Sequence, residues 1–409
     1  MKNRVIRKLI KKETKRQNRG IELIASENYP SKDIYAASGS IFQAKYAEGY
    51  AGARYYGGCE YVDKVEKYAI DGAKKLFGCN YANVQPHSGS QANAAAYYAL
   101  MPEGGKVLTM KLKDGAHITH TPLSSVGNRN YEFVYYGLNT DGYLDYAKIL
   151  EVALKELPNV ILCGFSAYPH IIDFANFKNI CAQVEQAAGR KCYLMVDMAH
   201  IAGLVAAHRH PSPFPEADIV TSTTQKTLRG PRGGLILTND EGLAKKIDSA
   251  IFPRSQGGPL MHTIAAKAIC FQEAMKKRYI TYIEQVLENT NACANKLREH
   301  GAVVSNTETH LFLLNTWNTF GINGKEAQIK LEKVGITTNK NMMPGDIFKP
   351  SETSGLRIGF AALTSRGCTK AQAEQIAELI YKILSGAISN KEAKKEVRKI
   401  TLKLKKVNK

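Results

Sequence analysis

The stretch D-I-V-T-S-T-T-Q-K-T-L-R-G-P-R-G-G-L-I-L-T, residues 218–238, sets two short apolar runs on either side of one lysine, Lys226, among small hydroxyl residues and a glycine-rich turn. Both runs, 218–222 and 234–238, read as buried strands. Lys226 then projects from the carboxyl end of a strand, which is where ligands bind in open α/β sheets. An amine placed there can attack a carbonyl.

Working outward, four more apolar runs precede this one, at 106–110, 132–137, 159–164 and 192–197. Helix-compatible stretches at 91–101, 145–157 and 174–188 fall between several of them. That alternation predicts an α/β unit with a mostly parallel sheet. Beyond P-R-S-Q-G-G-P-L at 253–260, a long helical pattern over 261–300 leads to a second set of strands near 302–315 and 356–361. This predicts a smaller α+β domain, with boundaries at 1–25 for a basic N-terminal arm, 26–275 for a large domain and 276–409 for the small domain and its tail.

At 409 residues, 44% of them hydrophobic, the chain can bury a sizeable core. No apolar run approaches the roughly 20 residues that span a bilayer, and no secretory signal is visible, which predicts a soluble chain without a membrane partner. The eight cysteines are scattered without C-x-x-C or metal-ligand spacing, so they read as reduced core thiols of a cytoplasmic protein, and no metal site is expected. The net charge of +19 sits mostly at the ends: residues 1–19 supply +8 and 391–409 supply +7, leaving +4 for the body. Both ends are lysine-rich and lack aromatic side chains to stack on bases, so any nucleic-acid binding is expected to be weak and salt-sensitive. A Walker A sequence and a strand-following G-x-G-x-x-G are both missing, which removes the main sequence support for a nucleotide enzyme.

A lysine that forms a Schiff base is the attachment point of pyridoxal phosphate, whose ring nitrogen needs a carboxylate and whose phosphate needs donors. Asp197 ends the run C-Y-L-M-V-D, where it can meet a pyridine nitrogen. Ser88-Gly89-Ser90 follows A-N-V-Q-P-H and opens an alanine-rich helix, so its N–H groups and hydroxyls would face an anion. Singly these signals are weak, because loop lysines are usually solvated, strand-end aspartates often cap, and S-G-S usually turns.

Together, and in this order, they belong to a wider set of motifs: L-I-A-S-E-N-Y (23–29), K-Y-A-E-G-Y (45–50), R-Y-Y-G-G-C-E-Y-V-D (54–63), A-N-V-Q-P-H-S-G-S-Q-A-N (82–93), V-D-M-A-H-I-A-G-L-V-A (196–206), K-T-L-R-G-P-R-G-G-L-I-L (226–237), Q-G-G-P-L-M-H (256–262) and T-S-G-L-R-I-G (353–359). From about residue 21 to about 385 the sequence resembles the serine hydroxymethyltransferases. The resemblance implies a pyridoxal-phosphate fold of type I with a seven-stranded, mostly parallel sheet, and a homodimer with active sites at the interface. It also implies conversion of serine and tetrahydrofolate to glycine and 5,10-methylenetetrahydrofolate.

By the same resemblance, Lys226 carries the cofactor, Asp197 pairs with its ring nitrogen and His117 stacks on the ring. Ser88, Gly89, Ser90, Thr223 and Gln225 surround the phosphate side, while Ser166 and His200 contact the ring region. Arg357 and Ser26 take the substrate carboxylate, a role that suits a planar guanidinium fork. Glu48 is the acid/base carboxylate near the serine hydroxyl and the folate. Tyr46, Tyr55, Tyr56, Gly257 and Gly258 reach the site across the dimer interface, with Tyr56 at the substrate and Tyr55 at the folate. Leu112, Ala116, Ile118 and Asn341 line the folate side, and Arg232 takes part in opening and closing.

The sequence departs from the family pattern at two places. Gln225 stands where a histidine usually precedes the lysine, and it cannot take up a proton. The segment L-K-D-G-A-H-I-T-H-T, 112–121, carries Asp114 in place of a histidine, Ala116 in place of a glycine, and Thr121 before Pro122. These changes predict folate use with altered affinity. A folate-independent aldolase of 3-hydroxy amino acids is the competing enzyme, and an RNA-binding protein on a worn-down enzyme body the competing non-enzyme. The presence of Lys226 and Asp197 speaks against the latter.

Overall fold

A computed structural model describes residues 3–124 and 131–407; the outermost residues of the two basic ends lie outside it. The chain forms two compact units, one of residues 30–280 and one in which the segment up to Tyr29 joins residues 281–409. The N-terminal arm of the sequence reading thus belongs with the C-terminal unit.

Apolar runs that are buried on both faces make the core of the first unit, as expected for strands covered by helices on either side. Its sheet has seven strands in the spatial order Tyr81–Asn83, Gly234–Thr238, Ile219–Thr223, Tyr193–Asp197, Val160–Cys163, Lys106–Met110, Glu132–Tyr136. All neighbours are parallel except Gly234–Thr238, which runs antiparallel to both of its partners. Register sets the site: Asp197 lies opposite Thr221, so the aspartate and the lysine loop leave adjacent strand ends on the same edge.

The helix Gly89–Leu100 begins where Ser88 caps it, its hydroxyl accepting from Gln91 N. Its alanines, Ala92, Ala95, Ala96 and Ala99, let it lie close on the sheet, where they pack with Val107, Val160, Leu162, Met195, Ile219 and Ile236. The helices Tyr146–Glu156 and Phe174–Ala188 start at Asp145 and Asp173, whose carboxylates cap them. The long helical pattern over 261–300 resolves into two helices, Met261–Ala274 and Lys277–Glu299.

In the second unit Leu311–Asn315, Gly355–Gly359 and Asn339–Asn341 form an antiparallel sheet. Within the predicted strand region 302–315, residues before Leu311 contribute only an isolated bridge at Val304. The strand Ile21–Glu22 pairs in parallel with Ile336–Thr337, which ties the N-terminal segment into this unit. Arg366 reinforces the tie by donating to the carbonyls of Gln17, Asn18 and Gly20. Both basic ends are helical, at Arg4–Arg19 and Asn390–Lys403. Among the described residues no helix is long and apolar enough to cross a membrane, and no three His, Cys, Asp or Glu side chains gather as a metal site. All eight cysteines are buried thiols.

Candidate active site

Lys226 follows the strand Ile219–Thr223 and is 9% exposed. Its loop is fastened on both sides. Thr224 N donates to Gly233 O and Gly230 N to Thr224 O, while Thr227 Oγ1 donates to His200 O and accepts from Gly203 N. Tyr279 Oη adds a bond to Thr227 O. A side chain in a loop held this way loses little further freedom on binding, which favours a fixed attachment point.

Asp197 is buried at the end of the neighbouring strand. Its Oδ2 accepts from Asn93 Nδ2 at 2.9 Å and is bonded to His120 Nε2 at 3.1 Å; its Oδ1 accepts from Ala199 N at 3.0 Å. Burial alone would raise its pKa, but the bond to His120 and the charges of His120, Lys226 and His117 hold the carboxyl well below the usual carboxylate range. The group is a fixed negative charge at neutral pH.

Sequence reasoning did not single out His120, Asn93 and Thr119, yet they build this environment. Asn93 joins Asp197 to Thr119 Oγ1 and accepts from Thr221 Oγ1, and Thr119 Oγ1 lies 2.7 Å from His117 Nδ1. His117 is thereby oriented through the same chain of bonds that holds the aspartate. The readable signal was the second histidine of H-I-T-H, three residues after His117.

The sequence-predicted cup is also present. Ser88 caps the Gly89–Leu100 helix, and a Cβ on Gly89 would lie 2.6 Å from Thr223 Cγ2, so only glycine lets the turn close on the strand end. Gly234 is equally confined, since a Cβ there would stand 2.3 Å from Ser88 O. Thr223 Oγ1 is buried without a hydrogen-bond partner among the described residues. A buried hydroxyl without a partner costs about 1–3 kcal/mol, so it marks a place for a ligand acceptor. The hydroxyl, the helix N-terminus, the amine and the buried carboxylate together fit the phosphate, aldehyde and ring nitrogen of pyridoxal phosphate.

Around this centre, Gln225 Oε1 accepts from Gly233 N at 3.4 Å, so the glutamine is turned toward its own loop. Ser166 N and Ala167 N both donate to Gly115 O, which joins the Ser166 turn to the 112–121 segment. His200 is buried and Arg232 exposed. In the altered segment Ala116 is buried and Ile118 half exposed, with Leu112 opening a short 3-10 turn. Asp114 is buried, its carboxylate close to Gly137, and burial pushes its pKa up.

A second cluster on this unit gathers Glu48 and the tyrosines. A Cβ on Gly257 would lie 3.0 Å from Glu48 Oε1, and one on Gly258 would lie 3.2 Å from the Tyr46 ring. Tyr46 and Tyr56 meet edge to face at 5.4 Å, and Tyr55 meets Phe252 likewise. These rings are open to solvent, with Tyr46, Tyr55 and Tyr56 57%, 74% and 49% exposed. Three aromatic side chains this exposed in one chain suit a surface that another molecule covers.

Arg357, Ser26 and Asn341 stand on the other unit. Arg357 lies in the strand Gly355–Gly359, 9% exposed, donating from Nε to Asn339 Oδ1, and burial lowers its pKa to about 10. The segment carrying Ser26 crosses the end of the same strand, where Gly359 N donates to Leu23 O. Asn341 Nδ2 donates to Met342 O.

The fold and this arrangement define a fold-type-I enzyme of the pyridoxal-phosphate class, with its lysine and its acid on adjacent strand ends of a seven-stranded sheet. The family model for serine hydroxymethyltransferase matches residues 1–380. A probable serine hydroxymethyltransferase of Mesomycoplasma hyopneumoniae is 48% identical over 98% of this chain and 96% of its own. Serine hydroxymethyltransferases of Campylobacter jejuni and Lactobacillus gasseri are 49% and 52% identical, covering 97% and 92% of this chain and 94% and 90% of theirs. The chain belongs to the serine hydroxymethyltransferase family, and these relatives favour the transferase over the aldolase.

Proposed function

We propose that the protein transfers the hydroxymethyl group of serine to tetrahydrofolate, giving glycine and 5,10-methylenetetrahydrofolate, with pyridoxal phosphate held in the 30–280 unit. The observation that carries this is the buried Asp197 carboxylate, ionised beside Lys226 and next to a cup whose Thr223 hydroxyl is buried without a partner.

Pyridoxal phosphate supplies an electron sink for breaking bonds at the substrate's Cα. Asp197 holds a proton on the ring nitrogen, and His120 and Asn93 keep the carboxylate aimed. Lys226 Nζ is the attachment point, and His117 stacks on the ring with Ser166 and His200 beside it. Ser88, Gly89, Ser90 and Thr223 hold the phosphate, with Gln225 packing beneath the loop rather than donating a proton. Arg357 and Ser26 take the substrate carboxylate. Glu48 moves a proton at the serine hydroxyl, and Leu112, Ala116, Ile118, Asn341 and Tyr55 bound the folate.

The exposed tyrosines and Gly257–Gly258 support a homodimer in which Tyr46, Tyr55, Tyr56 and these glycines complete the partner's site. Buried thiols support a cytoplasmic location, and the lysine-rich ends leave any nucleic-acid binding weak and salt-sensitive. The first test is the visible spectrum of the purified protein with pyridoxal phosphate, then with glycine, then with tetrahydrofolate. A band that gains a longer-wavelength peak only when folate joins glycine supports the transferase. A band that answers to glycine and ignores folate supports the aldolase, and no band at all removes Lys226 from its role.

A further inference from the structure

Lys267 lies in the middle of the Met261–Ala274 helix and is 1% exposed. Its Nζ donates to three main-chain carbonyls, Val84 O at 2.7 Å, Gly234 O at 2.7 Å and Pro86 O at 3.0 Å. Val84 and Pro86 belong to the turn that leads into the cup at Ser88–Ser90. Gly234 follows Gly233, whose carbonyl accepts from Thr224 N, two residues before Lys226. One side chain therefore ties the cup to the lysine loop. Gln256 secures the same turn from another direction, donating to Gln85 O and accepting from His87 N.

Three carbonyl oxygens converging on one nitrogen need three hydrogens. An ammonium has three and a neutral amine has two, so the geometry calls for the charged form. Burial pulls the group the other way, to about 7, while the Glu66 carboxylate opposes that pull. The charged or titratable groups whose fields couple to Lys267 are Glu66, which is engaged by Arg54 and Gln85, and His87, whose own pKa is lowered first by burial and further by Lys267. Neutral Lys267 would leave one buried carbonyl without its donor, at a cost of about 1–3 kcal/mol.

We propose that Lys267 is a buried ammonium built in behind the phosphate cup, a positioning residue that fixes the turn at 84–88 against Gly234 and lends the cup a positive charge for a phosphate dianion. The proposal rests on the reading of Ser88–Ser90 and Thr223 as the phosphate site. It predicts discrimination between ligands that differ only by the phosphate.

The test compares the affinity of the apoprotein for pyridoxal phosphate and for pyridoxal in the wild type and in Lys267→Met. The expected result is a loss of roughly 10- to 100-fold for pyridoxal phosphate, the range for one interaction with a charged group, with a change of less than about threefold for pyridoxal. Equal losses for both ligands, or no loss for either, overturn the proposal and leave Lys267 a core filler. A wild type that does not distinguish the two ligands defeats the cup reading itself.

A second measurement avoids dependence on the folding of the Met variant. In Lys226→Arg protein labelled with 15N-lysine, Lys267 is the remaining buried lysine among the described residues. One slowly exchanging three-proton ammonium resonance at pH 8 is the expected result. A neutral amine signal, or no protected signal, overturns the proposal.

Discussion

Replacing Asp197 by asparagine keeps the shape of the side chain and removes its charge. In the folded protein Oδ2 meets two donors, Asn93 Nδ2 and His120 Nε2, and Oδ1 meets one, Ala199 N. The amide has one acceptor oxygen, so its better rotamer turns that oxygen toward Asn93 and His120 and sets its NH2 against Ala199 N. One hydrogen bond to a charged group is then lost outright, about 1.5–3 kcal/mol of stability. The same range applies to the bond that the carboxylate makes with a protonated ring nitrogen, and at about 1.4 kcal/mol per decade it lowers turnover roughly 10- to 150-fold. Cofactor retention should fall much less, since the phosphate and Lys226 remain. The assay is single-turnover and steady-state kinetics at saturating cofactor, with thermal melts run beside it. A variant that binds cofactor and turns over within about threefold of wild type would refute the assignment of Asp197.

Gly89→Ala places a methyl 2.6 Å from Thr223 Cγ2, and the overpacking should cost about 1–3 kcal/mol and weaken pyridoxal phosphate binding about 10- to 100-fold, with Thr223→Ser in the same chain recovering part of it. Arg54→Met strips the buried Glu66, 1% exposed, of its ion pair and should lower unfolding free energy by about 3–5 kcal/mol in urea titration; adding Glu66→Gln should recover a large part, and simple additivity would count against the argument. Glu22 is 4% exposed, and burial pushes its pKa up to about 8, above the unfolded value near 4.3, so the folded chain keeps a proton there that the unfolded chain has lost. Its stabilising contribution is full below about pH 4 and is lost as the pH rises to about 8, so the melting temperature of Glu22→Gln should pull ahead of wild type over that window, reaching on the order of 3 kcal/mol at pH 9; a pH-independent gap would contradict this.

Local chemistry made much of this protein legible. The apolar runs of the large sheet are continuous because both faces of each strand are covered, and such runs can be read without knowing their neighbours. Ser88, Asp145 and Asp173 announce helix starts through hydrogen bonds that span only three residues. Lys226 and Asp197 stand out because each ends an apolar run, and strand ends are where such sheets bind ligands.

What the sequence could not carry are partnerships between residues far apart. Asn93 and His120 reach Asp197 across 104 and 77 positions, and Lys267 closes on carbonyls 181 and 183 residues earlier. A lysine inside a helical pattern reads as solvated until the fold buries it. The joining of the N-terminal segment to the C-terminal unit and the break of 261–300 into two helices were likewise settled by packing. By itself the sequence determined the order of strands, the attachment lysine, its acid and the cup, because each rests on bonds within a few residues. Only the tertiary structure decided the charge state of Asp197 and the three carbonyls around Lys267, because burial and convergent donors exist only once distant segments meet.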